Sequence, residues 1–279
     1  MTVDFGFRLR RALDAFGPLC VGVDPHAELL DAWGLDQGPD GLRRFGLRVV
    51  EASAGHVAAI KPQVAFFERF GSAGFAALEA VLAAGRDAGL IVVADAKRGD
   101  IGSTMAGYAS AWLEPGSPLE ADTVTLSPYL GAGSLTATIE TALRADKGVF
   151  VLGATSNPEA AALQRATGDD GATVSRRVAL DVAAAGGGAP LGSAGLVVGA
   201  TIDREASGLT DDVLAGMPIL APGFGAQGAG PEDLVPRFGA LAGNVLASES
   251  RSLLRVGPDA IVDTIAARAA EYREARDAR

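Results

Sequence analysis

The sequence predicts a (β/α)8 TIM barrel, one domain over residues 1–279 with helices flanking it at both ends. Three observations predict it. Eight short apolar runs recur along the chain, each closed by Gly, Asp, Ser or Pro and followed by a stretch with helical periodicity. The runs are almost continuously apolar, as strands of a parallel sheet buried on both faces must be. A length of 279 residues also accommodates eight strand–helix units. The structural rival is an open doubly wound sheet, which normally carries a GxGxxG turn after its first strand; "GVDPHAELL" offers none.

In chain order, Phe5, Leu9, Leu13 and Phe16 recur at helical spacing and predict a packing helix or lid before the first strand. The predicted strands are "LCVGVD" (19–24), "VAAIKP" (57–62), "LIVVADAK" (90–97), "DTVTLSPY" (122–129), "GVFVLGATS" (148–156), "GLVVGAT" (195–201), "MPILAPG" (217–223) and "NVLASES" (244–250). Between the second and third, "FAALEAVLAAGRDAG" places Phe75, Leu78 and Leu82 on one side of a helix. "VAAAGGGAPLG" (182–192) reads as a helix end and loop. In "PEDLVPRFGALAG", Pro231 followed by acidic residues suits the first turn of a helix. Pro258 opens an amphipathic final helix through Ile261 and Ile265 that becomes charged toward Arg279.

Composition narrows the chemistry. A net charge of −10, with 24 Lys and Arg residues scattered along the chain, disfavours a nucleic-acid partner. No run approaches the roughly 20 apolar residues of a membrane span, and "MTVDFGFRLRRALDAFG" lacks the charged-then-apolar order of a secretion signal, so a cytoplasmic protein is expected. Two histidines and one cysteine leave little room for a closed zinc site or a His-based triad. Cys20, inside "LCVGV", reads as a small buried side chain rather than a nucleophile. Lys, Asp, Arg, Ser and Gln remain to carry any reaction.

The carboxyl ends of barrel strands carry the active site in this architecture. Those ends supply Asp24, Lys61, then Asp95 and Lys97, with Ser156 after the fifth strand and "APGFGAQGAG" after the seventh. Side chains alternate along a strand, so Asp95 and Lys97 are expected on one face, toward the barrel mouth, with Ala96 outward. As a pair they read equally well as a structural ion bridge. Lys61 and Asp24, arriving at the same height from other strands, make four alternating charges that would be costly to desolvate for stability alone. After strands seven and eight, "PGFGAQG" (Pro222 through Gln227 and Gly228) and Arg251, which opens an apparent helix, suggest a phosphate pocket. Individually each of these also reads as an ordinary turn or surface residue.

Together the residues are more specific. "DAKRGDIGSTM" resembles the DxKxxD signature of the orotidine 5'-phosphate decarboxylase family, and "SNP", "PGFGAQG" and Arg251 follow in that family's order. "LSPYLG" and "LVVGAT" look most like its longer bacterial branch. The resemblance implies conversion of orotidine 5'-monophosphate to uridine 5'-monophosphate and CO2, with neither cofactor nor metal, in pyrimidine biosynthesis. It implies that Lys97 protonates C6, that Asp95 and Asp100 flank the substrate carboxylate, and that Lys61 links the charges to the ribose. Asp24 would hold a ribose hydroxyl, Ser156 the pyrimidine edge, Gln227 both pyrimidine and phosphate, with Pro222 at the start of its loop, and Arg251 the phosphate. It also implies a homodimer in which Asp100 and Thr104 act in the neighbouring subunit's site. Two departures stand out: a long first loop, "PHAELL", and "SES" before Arg251 where a glycine is common. Within the same wider group, 3-keto-gulonate 6-phosphate decarboxylases and hexulose 6-phosphate synthases share DxKxxD but recruit Mg2+. A silent nucleotide-binding barrel is the non-enzymatic alternative.

Overall fold

Each of the eight apolar runs forms a strand in the computed structural model, which describes residues 3–186, 188 and 190–278. The strands are β1 (Leu19–Val23), β2 (Ala59–Pro62), β3 (Ile91–Arg98), β4 (Thr123–Leu126), β5 (Gly148–Ala154), β6 (Ala194–Val198), β7 (Ile219–Pro222) and β8 (Val245–Glu249). They pair in parallel in sequence order, and β8 closes onto β1. The predicted barrel is therefore the observed one. Every residue of β1, β2, β4, β6 and β8 is buried, which is why these segments lack polar alternation.

Two apolar layers result. The outer one lies between strands and helices and includes Ile60, Leu78, Leu82, Val124 and Val151. The inner one fills the barrel with Cys20, Ala59, Ile91, Val93, Phe150, Leu220 and Leu246. Helix Phe5–Phe16 closes the inner layer from the end opposite the mouth, burying Phe5, Leu9 and Leu13. Its amphipathic pattern thus marks a plug, not a lid. The Phe5 ring meets Phe150 edge-on at 6.4 Å between centroids, and it packs so closely on Gly148 that no side chain fits there. Arg8 anchors the helix by a 2.6 Å ion pair to Asp122, which also accepts a hydrogen bond from the Val92 N–H.

Elsewhere the helices differ from the sequence expectation in instructive ways. Helix Gly71–Asp87 buries Leu78 and Leu82 and half-buries Phe75, as the spacing requires. The "PEDLVPRFGALAG" segment is not one helix. It breaks into a 3-10 turn (Pro231–Asp233), an α turn (Leu234–Phe238) and a second 3-10 stretch (Gly239–Asn244). Pro236 removes a backbone donor from the segment, and Gly239 adopts φ +52, which ends the α turn. The last helix begins at Ile261, three residues after Pro258, and buries Ile261, Ile265, Ala269 and Tyr272. Of the 182–192 stretch, Val182 to Gly186 ends helix Val174–Gly186, while residues 187 and 189 lie outside the described residues. No helix among the described residues is long and apolar enough to cross a membrane.

Candidate active site

The barrel mouth gathers the charges that the strand ends supply. Lys61, on β2, and Asp95, on β3, are 7% and 9% exposed, and Lys61 Nζ lies 2.9 Å from Asp95 Oδ2. The other oxygen, Asp95 Oδ1, accepts from Lys97 Nζ at 2.6 Å and from the Thr125 hydroxyl of β4 at 2.9 Å. Both carboxylate oxygens are thus held by cations. Burial opposes the charge of Asp95, yet Lys61 and Lys97 overcome it and hold the carboxyl well below the usual carboxylate range. Burial also opposes the charge of Lys61, and Asp95 followed by Asp24 raises its ammonium above the ordinary lysine value.

Lys97 reaches Asp95 by a route that plain strand alternation does not describe. On β3, Ala94 and Arg98 are four positions apart, but they pair with Val124 and Leu126, two positions apart on β4. The strand bulges between them, and a bulge re-aims a side chain. Lys97 sits at φ +49, a left-handed conformation that costs a non-glycine residue roughly 1–2 kcal/mol. Its backbone N–H donates to Thr125 Oγ1 at 2.9 Å, which fixes the bulge, and its ammonium is 3.4 Å from Gln63 Oε1. Thr125 is the residue that sequence reasoning missed. Inside "TVTL" it looks like one more β-branched strand position, whereas its single hydroxyl positions both Lys97 and Asp95.

Asp100 stands apart from this array. Its carboxylate accepts from the adjacent Ile101 N–H at 2.8 Å. Thr104 is exposed on helix Gly102–Leu113, and next to Asp100 the Ile101 side chain is 61% exposed. Tyr129 and Leu130, in the loop after β4, are 77% and 54% exposed. The loops after β3 and β4 thus both expose large apolar or aromatic side chains.

On the opposite side of the mouth, the loops after β5 and β7 meet. The Ser156 hydroxyl donates to Gln227 Oε1 at 3.1 Å, which leaves the Gln227 amide N–H groups without a partner from Ser156. Pro222 ends β7, and its carbonyl accepts from the Ala200 N–H at 2.8 Å. Gly223 (φ +114), Gly225 (φ +71) and Gly228 (φ +99) then fold the loop back on itself, with Gly225 N–H donating to Ala229 O at 2.7 Å. Arg251 is half-buried, and its guanidinium makes no hydrogen bond or ion pair among the described residues. The helix it opens, Arg251–Leu254, is a single turn, so a helix dipole adds little to any anion site there.

Glu249, at the end of β8, supports this side from beneath. It is 1% exposed and accepts from Arg268 Nη1 at 2.5 and 2.7 Å, from Tyr272 Oη at 3.0 Å and from the Ser252 hydroxyl at 3.1 Å. Burial and the adjacent Glu249 carboxylate raise the Tyr272 phenol above its ordinary value, so it serves as a donor. Cys20 lies inside the barrel, where burial pushes its thiol up to about 12, and it packs as the sequence implied. Among the described residues, no group of three or more His, Cys, Asp or Glu side chains is placed to hold a metal ion.

Comparison with known proteins gives this geometry its context. The family model described as orotidine 5'-phosphate decarboxylase / HUMPS family matches residues 17–254. The chain is 54% identical over 260 residues to an orotidine 5'-phosphate decarboxylase of Salinispora tropica, an alignment covering 92% of each. It is 53% identical over 256 residues to the one of Streptomyces coelicolor, covering 91% of each. A crystal structure from Streptomyces avermitilis assigned to the same enzyme superposes with a TM-score of 0.93 at 52% identity, over 99% of this chain and 97% of that one. The OMP decarboxylase of Leishmania donovani superposes with a TM-score of 0.77 at 29% identity, over 98% and 99% of the two chains. With its Asp95, Lys97 and Asp100 motif at the end of a barrel strand, the chain belongs to the orotidine 5'-phosphate decarboxylase / HUMPS family.

Proposed function

We propose that this chain decarboxylates orotidine 5'-monophosphate to uridine 5'-monophosphate in the cytoplasm, with Lys97 delivering a proton to C6 as CO2 departs. The observation that carries the reading is the array Lys61, Asp95, Lys97. It holds one part-exposed ammonium at the mouth, anchored through its partner carboxylate to a buried lysine. Loss of CO2 leaves an electron pair on a ring carbon, which a cation fixed beforehand stabilises far better than one that must reorganise. Lys97 is suited to this because its side chain is 44% exposed while its backbone is pinned by Thr125. Asp95 positions that ammonium and, placed beside the substrate carboxylate, would raise the energy of the bound ground state.

The remaining residues divide between the two ends of the substrate. Asp24 and Lys61 would meet the ribose, Ser156 and the Gln227 amide the pyrimidine, and Arg251 with the glycine-rich loop after Pro222 the phosphate. Phosphate binding far from C6 supplies energy that can offset crowding at the reacting carbon. Asp100 and Thr104 would complete the site of a second copy of the chain. Two features support this: Asp100 bonds to Ile101 N–H and not to the array of its own subunit, and Ile101, Tyr129 and Leu130, in the loops after β3 and β4, are exposed apolar or aromatic side chains.

The metal-dependent sugar-phosphate chemistry of the wider group fits the site less well. Asp95, the acid best placed to bind a divalent cation, already has both oxygens engaged by ammonium groups. A spectrophotometric assay of orotidine 5'-monophosphate loss, with and without EDTA, tests the proposal. Turnover unchanged by EDTA supports it; turnover abolished by EDTA and restored by Mg2+ would assign the chain to the other chemistry.

A further inference from the structure

A second polar pair lies at the seam between β8 and β1. The two strands run in register, Cys20 against Ser248 and Val21 against Glu249, so Ser250 arrives over Gly22 one step nearer the mouth. A Cβ added to Gly22 would stand 2.8 Å from Ser250 Cβ, 3.0 Å from Asp24 Oδ2 and 3.3 Å from Ser250 Oγ. The serine hydroxyl and the aspartate therefore border the same small space, which a glycine alone leaves open. On these two side chains, two buried atoms, Asp24 Oδ1 and Ser250 Oγ, have no hydrogen-bond partner among the described residues. Buried polar atoms are paired in the great majority of folded proteins. Unpaired atoms on two side chains that border one gap point to a partner that arrives with a ligand.

The atoms specify that partner's chemistry. An ionised carboxylate only accepts hydrogen bonds, whereas a hydroxyl both donates and accepts. A group that satisfies both must donate to Asp24 while exchanging a hydrogen bond with Ser250, as an alcohol does. A phosphate dianion is excluded from the same position by the charge of Asp24. We infer that Ser250 is a binding residue that holds, together with Asp24, one hydroxyl of the substrate's sugar. A glycine at position 250 would have no side chain to offer, so this serine gives the site a contact that the glycine-bearing pattern lacks. The inference rests on the nucleotide reading above.

Calorimetric titration of the full chain and of Ser250→Ala and Ser250→Gly with uridine 5'-monophosphate and its 2'-deoxy and 3'-deoxy analogues tests it. Both variants are expected to bind uridine 5'-monophosphate about tenfold more weakly, the effect of one lost hydrogen bond at a buried partner. Toward the one deoxy analogue lacking the hydroxyl in question, variants and wild type are expected to agree within about twofold. If wild type binds uridine 5'-monophosphate and both variants match it, the inference is wrong and the nucleotide reading stands. An equal loss against both deoxy analogues would also overturn it, by placing the contact on the phosphate or on general shape. Failure of wild type to bind the nucleotide at all would overturn both.

Discussion

Replacing Lys97 by glycine and, separately, by alanine separates what the residue costs the fold from what it gives the reaction. Its φ of +49 is a conformation that L residues adopt at roughly 1–2 kcal/mol and glycine adopts freely. Part of that gain is offset because glycine also gives the unfolded chain more freedom, by about 0.5–1 kcal/mol. Neither variant has an ammonium, so the lost ion pair to Asp95 cancels in their comparison. That pair is itself a small contribution, below about 1 kcal/mol, because the Lys97 side chain is 44% exposed. Lys97→Gly should therefore be more stable than Lys97→Ala by about 1 kcal/mol, a difference of about 2 °C in melting temperature for a chain of this size. Circular dichroism melts of the two proteins measure it, and both should lack turnover. An alanine variant as stable as the glycine variant would refute the claim that the bulge stores strain at this residue.

Three further outcomes are expected. Asp95→Ala leaves Lys61 buried without its partner and should destabilise the chain by about 3–5 kcal/mol in urea unfolding; a loss under 1 kcal/mol would show that the pair is not buried as described. Asp95 has a depressed folded-state pKa, so its contribution is present above the unfolded value near 4 and fades as pH falls below it. The stability gap between wild type and Asp95→Asn should accordingly be widest near neutrality and narrow toward about pH 3; a gap that widens in acid contradicts this sign. Mixing inactive Lys97→Ala and Asp100→Ala subunits should recover part of the activity if the site is shared as proposed, since each hybrid would then hold one intact site; no recovery with hybrids demonstrated by mass spectrometry would rule out a shared site.

Much of the architecture was legible because burial leaves a direct mark on sequence. Strands covered on both faces are continuous apolar runs, and the punctuation after each run marks the mouth, where Asp24, Lys61, Asp95 and Lys97 gather. The helix before β1 was legible in its spacing, but its destination was not: Phe5 finds its place against Phe150, far away in sequence. The bulge in β3 leaves no signature because a lysine, not a glycine, takes the positive φ. Alternation consequently predicted the right neighbour for Lys97 by a simpler path than the chain follows. The role of Thr125 was invisible, and that of Ser250 was visible only as a departure from a common glycine, because a hydroxyl at a strand position acquires meaning only from what lies opposite. The segment after Pro231 shows the reverse case, where apolar spacing suggested a helix that Pro236 and Gly239 break.

The central claim is that the Lys97 ammonium delivers the proton that replaces CO2. Incubating wild type and Lys97→Ala with orotidine 5'-monophosphate in D2O, and reading deuterium at C6 of the product by NMR, tests it most directly. Wild type should yield uridine 5'-monophosphate carrying deuterium at C6, and Lys97→Ala should bind the nucleotide yet yield none. Product formed by Lys97→Ala at a rate near that of wild type would contradict the assignment.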